Sequence, residues 1–260
     1  MTPTWATVEL ARHPERPYSL DYIKLLCDEF VELHGDRAGA DDPAIVGGPA
    51  RINGRSVMVI AQQKGRTQAE RVERNYGMAH PTGYRKALRL MRQADRFRLP
   101  LVTLIDTSGA YPGVEAERTG QAWAISDCLT AMAAMTVPIV SVIIGEGGSG
   151  GALALGVADR TLMLENAIYS VASPEAAAAI TWRDGDRKHS AAAALGLTSA
   201  DALRMHVIDE VIAEPEPAHL APAEAAANLK EAVIRHLSEL EGTDPERLVG
   251  SRYWRFRRFV

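Results

Sequence analysis

Apolar residues recur along this chain with two periods. Leu101-Val102-Thr103-Leu104-Ile105 and Pro138-Ile139-Val140-Ser141-Val142-Ile143-Ile144 are continuous runs, the pattern of strands buried on both faces. Thr161-Leu162-Met163-Leu164, Tyr169-Ser170-Val171 and Val211-Ile212 are shorter runs of the same kind. Ile45-Val46 and Val57-Met58-Val59-Ile60 flank Asn53-Gly54, a pair that tolerates positive φ and so predicts a hairpin. Helical spacing fills the stretches between. Ser19 reads as the cap of a helix beginning at Leu20, with Tyr22, Ile23, Leu26, Phe30 and Leu33 near one face. Pro81 opens a helix carrying Ala87, Leu88, Leu90, Met91 and Phe97. Further helices are expected over 120–135, 150–157, 174–195, 199–205 and 222–240. Residues 1–16 hold Pro3 and Pro14 without a sustained period and read as an arm. Strand, turn and helix alternate, so the class is α/β, and the hairpin makes the sheet mixed.

Composition narrows the function classes. The 260 residues are 47% hydrophobic and 24% charged, with a formal net charge of -4, which argues against a general nucleic-acid binder. No apolar run approaches the roughly 20 residues of a membrane-spanning helix. Met1-Thr2-Pro3-Thr4-Trp5 lacks the basic and apolar regions of a signal peptide, so a cytoplasmic protein with no membrane contact is expected. Cys27 and Cys128 are the only cysteines, too few for a disulfide framework or a structural zinc site. Arg85, Lys86 and Arg89 read as a solvated helix face. The aromatic and basic tail from Tyr253 to Phe259 reads as a helix end docked on the body or on a partner, rather than a nucleic-acid contact.

The chemistry points to two glycine-rich turns, each directly after one of the long apolar runs. The first is Asp106-Thr107-Ser108-Gly109-Ala110-Tyr111-Pro112-Gly113. The second is Gly145-Glu146-Gly147-Gly148-Ser149-Gly150-Gly151-Ala152-Leu153. Glycine lets bare backbone approach a ligand, and a strand-to-helix turn aims unpaired N–H groups at it. The second turn satisfies three patterns. Gly145, Gly147 and Gly150 match a dinucleotide fingerprint, with Glu165 where a ribose-binding acid belongs. Gly147-Gly148-Ser149-Gly150-Gly151 matches a nucleophile elbow, which would draw on His189, His206 or His219 and on Asp201 or Asp209. The third reading uses only backbone amides, presented to a developing oxyanion.

The chain as a whole resembles the carboxyltransferase α subunit of bacterial-type acetyl-CoA carboxylase. The resemblance rests on ordered matches from about Arg16 to Glu214. They include Arg16-Pro17-Tyr18-Ser19-Leu20-Asp21-Tyr22-Ile23, Gly35-Asp36-Arg37, Ala44-Ile45-Val46-Gly47-Gly48 and Gln63-Lys64-Gly65-Arg66. Arg74-Asn75-Tyr76-Gly77-Met78, the run from Gly83 to Met91, both glycine turns and Tyr169 to Glu175 complete them. The resemblance implies a crotonase-type spiral of ββα turns. It implies an enzyme subunit that transfers the carboxyl group of carboxybiotin, supplied on a biotin carboxyl carrier protein, to acetyl-CoA, giving malonyl-CoA for fatty acid synthesis. It further implies a β subunit in an α2β2 assembly, with the zinc on that β subunit and no metal here. Gly150 and Gly151 are then the expected oxyanion donors. Gly147 and Gly148 shape the loop, and Gly109-Ala110 lines the same pocket. Lys64, Arg66 and Arg71 are candidates for the phosphates of CoA or for the partner. The expected organisation is an arm over 1–17, a carboxyltransferase domain over 18–243 and a tail over 244–260.

The chain departs from the family where Ser108 replaces a usual proline, where Ala176 replaces a usual glycine, and at Glu216-Pro217-Ala218-His219. If the backbone at Ala176 needed positive φ or close ligand contact, activity would suffer. Two alternatives follow from the departures: a non-catalytic scaffold subunit of the same complex, or a subunit of a biotin-dependent acyl-CoA decarboxylase.

Overall fold

The computed structural model describes residues 3–259. Its centre is one mixed sheet of eight strands: β1 (Glu29–Phe30), β2 (Ile45–Ile52), β3 (Arg55–Gln62), β4 (Leu101–Thr107), β5 (Ile139–Gly148), β6 (Arg160–Leu164), β7 (Ile168–Ser170) and β8 (Glu210–Ile212). The order is β1-β2-β3-β4-β5-β6-β8, with β7 paired to the far end of β5. β2 and β3 form the expected antiparallel hairpin around Asn53 (φ +50°) and Gly54 (φ +74°). From β3 onwards every pairing is parallel, which requires crossover helices. All residues of β4 and β5 are buried, as their unbroken apolar runs demand.

The helices are α1 (Pro3–Ala11), α2 (Ser19–Leu26), α3 (Gln68–Glu73), α4 (Pro81–Arg96), α5 (Val114–Arg118), α6 (Gln121–Ala134), α7 (Ser149–Leu153), α8 (Pro174–Trp182), α9 (Lys188–Leu195), α10 (Ser199–Arg204), α11 (Pro222–Leu240) and α12 (Pro245–Arg257). α4 packs on β2, β3 and α6, whereas α11 packs on α2, β5 and β8. α12 docks on α6. Its Arg252, 1% exposed, donates to both carboxylate oxygens of Asp159 (2.8 and 3.1 Å) and to the carbonyls of Met132 (2.7 Å) and Met135 (2.8 Å). One guanidinium thus satisfies the carbonyls that α6 leaves open at its end.

Several expectations are corrected. Residues 3–11 form a helix, because Trp5, Val8 and Ala11 find an apolar seat on Ile168, Ala192 and Leu197. Ser19 is no cap: its hydroxyl donates to the carbonyl of Gln62 (2.6 Å), while Asp21 accepts from the Tyr18 amide (2.8 Å). The helix ends at Leu26, and Phe30 belongs to β1. β5 continues through Gly148, and the helix after it stops at Leu153.

The basic trio on α4 is not a solvated face. Lys86 is fully buried, with Nζ 2.8 Å from the carbonyl of Ile45 and 2.8 Å from Asp41. Arg85 reaches Asp36 (3.1 Å) and Arg89 the carbonyl of Gly35 (3.0 Å), so all three tie down the loop over 34–42. Burial opposes ionisation of Asp41, but the hydrogen bond to Lys86 and the Gly35 amide outweigh it and hold its pKa at about 2, below the ordinary 3.8. A depressed carboxylate stabilises the fold above its unfolded pKa and loses that contribution as pH falls through the folded value. Asp41→Asn is therefore expected to flatten the pH dependence of unfolding between pH 4 and pH 2, measured by denaturant titration across that range.

Candidate functional site

The two glycine turns meet because β4 and β5 are parallel neighbours that end together. Their register holds residue for residue from Leu101↔Ile139 to Ile105↔Ile143, then jumps to Thr107↔Gly147. The step from 105 to 107 on β4 thus faces the step from 143 to 147 on β5, a bulge at Ile144-Gly145-Glu146. Bulges beside functional sites re-aim the chain that follows. Here the unpaired groups are taken up from outside the ladder. The Glu146 amide donates to Asp106 Oδ1 (2.9 Å), and the Ile144 carbonyl accepts from Arg16 Nε (2.9 Å).

Beyond the bulge the turns are in contact. A Cβ on Gly151 would lie 2.6 Å from both the amide nitrogen of Ala110 and the carbonyl carbon of Gly109. A Cβ on Gly148 would collide with the carbonyl of Ser108, and one on Gly147 would stand 2.7 Å from the Tyr169 ring. Gly109 has φ +152°, and its amide and carbonyl are both bonded to Thr107 Oγ1 (3.1 and 2.7 Å). Gly150 differs: a Cβ there would make only ordinary contact, 3.7 Å from Ile125.

Gly148 precedes the first turn of α7, so the amides of Ser149, Gly150 and Gly151 have no carbonyl one turn back. Three buried groups fix the helix. Gln62 Nε2 donates to the carbonyl of Gly151 (2.7 Å), while its Oε1 accepts from the Asp106 amide (3.2 Å). Thr103 and Ser141, paired across β4 and β5, both donate to the carbonyl of Leu155 (2.7 and 2.9 Å). Such an arrangement presents preorganised main-chain donors where negative charge develops.

A cleft of about 390 Å³ opens beside the turns, bounded by Arg12, Lys64, Arg71, Tyr76, Ser108 and Glu146. Of the three candidate cations, Lys64 and Arg71 line it. Lys64 Nζ pairs with Asp106 (2.7 Å). Burial depresses the Lys64 pKa, but Asp106 and then Glu146 outweigh it and raise it overall. Arg71 Nε donates to the carbonyl of Gly65 (3.2 Å). Arg66 is turned away: it donates to the carbonyls of Pro14 (2.8 Å) and Arg16 (2.9 Å), pairs with Asp21 and covers the Tyr18 ring.

The competing motif readings fail on geometry. Ser149 does occupy a strand-to-helix junction with φ +48°, but no histidine lines the apolar pocket beside it. His189 packs on Trp5, His206 gives its carbonyl to Arg258 and His219 stacks on His13. Asp201 and Asp209 are engaged by Arg204 and Arg255. The dinucleotide fingerprint fails because Gly145 and Gly147 lie inside β5, and Glu165 accepts from the Glu214 amide (2.9 Å). Among the described residues no group of three or more His, Cys, Asp or Glu is placed to hold a metal ion. No helix among them is long and apolar enough to cross a membrane. Arg12 escaped sequence reasoning, although its guanidinium lies 2.6 Å from Glu146; only the fold brings the arm to the bulge.

Comparison with known proteins identifies the family and the fold. The family model described as acetyl co-enzyme A carboxylase carboxyltransferase-like matches residues 1–260. The carboxyl transferase subunit alpha of acetyl-coenzyme A carboxylase from Thermus thermophilus is 55% identical over 258 residues, covering 99% of this chain and 82% of its own. That of Geobacter metallireducens is 56% identical over 255 residues, covering 98% and 80%. Among solved structures, transcarboxylase 12S with methylmalonyl-coenzyme A bound superposes with a TM-score of 0.71 at 24% identity, covering 86% of this chain and 42% of that one. A Pseudomonas malonate decarboxylase hetero-tetramer in complex with coenzyme A gives 0.70 at 18% identity, covering 92% and 97%. These last two establish the crotonase-type fold. With the family model matching end to end and relatives more than half identical across nearly its whole length, the chain belongs to the acetyl-CoA carboxylase carboxyltransferase α-subunit family.

Proposed function

We propose that this chain is the carboxyltransferase α subunit of a cytoplasmic acetyl-CoA carboxylase. It moves the carboxyl group carried by biotin to acetyl-CoA, giving malonyl-CoA, and acts only with a β subunit in an α2β2 assembly. The observation that carries the reading is the contact of the two glycine turns, in a chain 53–56% identical to α subunits of that enzyme.

Carboxybiotin, arriving on its carrier protein, supplies an activated carboxyl group whose release leaves negative charge on the ureido oxygen. The amides of Gly150 and Gly151 fit that charge: they stand at the open start of α7, and a side chain on Gly151 has no room. One such donor contributes about 3 kcal/mol to a transition state. The backbone there is held in advance: Gln62 bonds the Gly151 carbonyl within the helix, and Thr103 and Ser141 bond the Leu155 carbonyl just after it. Lys64 and Arg71 offer positive charge at the mouth of the cleft, toward the phosphates of CoA or the partner. No protein base is required if the released biotin nitrogen takes the proton from the acetyl methyl group. The thioester side of the site, and the zinc, belong to the β subunit.

The scaffold alternative loses the backbone-strain part of its motive. Ala176 lies in the first turn of α8 without positive φ, and its amide donates to Ser173 Oγ (3.1 Å), so alanine fits without strain. Decarboxylation is favoured only by neighbours at 18–20% identity, a likeness that extends to the fold alone.

Mixing the purified chain with its β subunit, carboxylated carrier protein and acetyl-CoA is expected to yield malonyl-CoA; a stable complex with no product, or product release as CO2 alone, overturns the reading. Within that assay Ser149→Ala is expected to keep most of the turnover and the wild-type protein to resist fluorophosphonate labelling. Gly151→Ala pushes the two turns apart and is expected to lower kcat by about a hundredfold, in line with the loss of one oxyanion donor, while the complex with β still forms on gel filtration.

A further inference from the structure

The arm over residues 3–18 is fastened to the catalytic turn by two arginines that bracket the β5 bulge. Arg16, 1% exposed, donates to the carbonyl of Ile144 on one side and pairs with Glu214 (2.9 Å). Arg12 reaches the other side. Its Nε and Nη2 meet Glu146 Oε1 (3.2 and 2.6 Å), and its Nη1 meets Glu175 Oε1 (2.9 Å). Glu146 lies in the strand four residues before Gly150. Glu175 lies in the first turn of α8, just after β7, the strand paired with Glu146, Gly147 and Gly148. The Arg12 guanidinium therefore joins the two backbone segments that flank the start of α7.

Charge makes this link more than a surface pair. Asp106, Glu146 and Glu175 crowd the bulge, and Lys64 and Arg12 are the cations paired with them. Without Arg12, the nearly buried carboxylate of Glu146 loses its ion-pair partner, and Lys64, already paired with Asp106, is the cation left near it. Removing one partner of a buried ion pair is strongly destabilising. That destabilisation falls on the bulge that bears Glu146, four residues before Gly150, and so on the placing of the amides of Gly150 and Gly151.

We infer that Arg12 is a positioning residue for the oxyanion turn, acting through Glu146 and Glu175, so that the N-terminal helix straps the catalytic backbone in place. The inference rests on the carboxyltransferase reading above. It belongs to geometry rather than to substrate contact, so it predicts a loss in kcat with binding preserved. A displacement near 1 Å in a reacting geometry is worth up to about a hundredfold.

The test uses the reconstituted α–β complex, with wild type, Arg12→Lys, Arg12→Ala and Glu175→Gln compared for kcat, KM for acetyl-CoA, melting temperature and complex formation. Arg12→Ala is expected to lower kcat by about thirtyfold with KM within twofold. Arg12→Lys, which keeps the charge but cannot grip both carboxylates, is expected to recover part of that loss. Millimolar guanidinium is expected to raise the turnover of Arg12→Ala and not that of wild type. Glu175→Gln, at a half-exposed position, is expected to lower kcat several-fold with the melting temperature unchanged. Turnover within twofold of wild type in both Arg12→Lys and Glu175→Gln overturns the inference if Arg12→Ala is equally active. So does a loss of kcat in Arg12→Ala that matches a loss of complex or of melting temperature. An inactive wild-type complex instead overturns the carboxyltransferase reading.

Discussion

The parallel contact between β4 and β5 is the constraint on which the rest depends. It runs in strict register through the core and then breaks by a bulge just before both strands end. Because the break falls there, the chain leaves the sheet at two adjacent points with its glycines facing each other. Gly148 lies against Ser108, and Gly151 against Gly109 and Ala110. Main chain meets main chain with nothing between. The groups around this contact supply what the broken ladder leaves unmet: Asp106 for the Glu146 amide, Arg16 for the Ile144 carbonyl and Gln62 for the Gly151 carbonyl. A buried polar group left without a partner is costly, so this shell holds the site in one arrangement.

Much of the fold was legible because its signals are local. Asn53-Gly54 marks a hairpin because both residues must take positive φ, which is decided within the turn. The runs that became β4 and β5 are apolar with little alternation because both their faces are buried. The long amphipathic α4 and α11 announce themselves by spacing. The glycine turns were legible as candidates, but pattern matching left three chemistries open. Only the surroundings of Ser149 and Glu165 in the fold speak against two of them.

What escaped the sequence depends on residues far apart in the chain. Trp5, Val8 and Ala11 give a weak helical pattern, and the helix is settled by Ile168, Ala192 and Leu197. Lys86 sits among arginines on α4 and looks solvated by spacing, yet the Ile45 carbonyl and Asp41 draw its ammonium inside. Arg66 looks like a phosphate ligand beside Lys64, yet it is spent on the carbonyls of the arm. The bulge itself is hard to read from sequence, since β5 is apolar or glycine throughout apart from Ser141 and Glu146.

The pocketed glycines carry a consequence for how this family can vary. A main-chain amide has no codon of its own, so among single substitutions only proline deletes the donor proposed at Gly150 or Gly151. Selection there acts on volume: a methyl group at 148 or 151 is a wedge between two backbones, whereas one at 150 meets only a side chain. Mutational intolerance should follow crowding rather than chemical character. A survey that ranks positions by their polar side chains would pass over the close backbone contacts at 148 and 151.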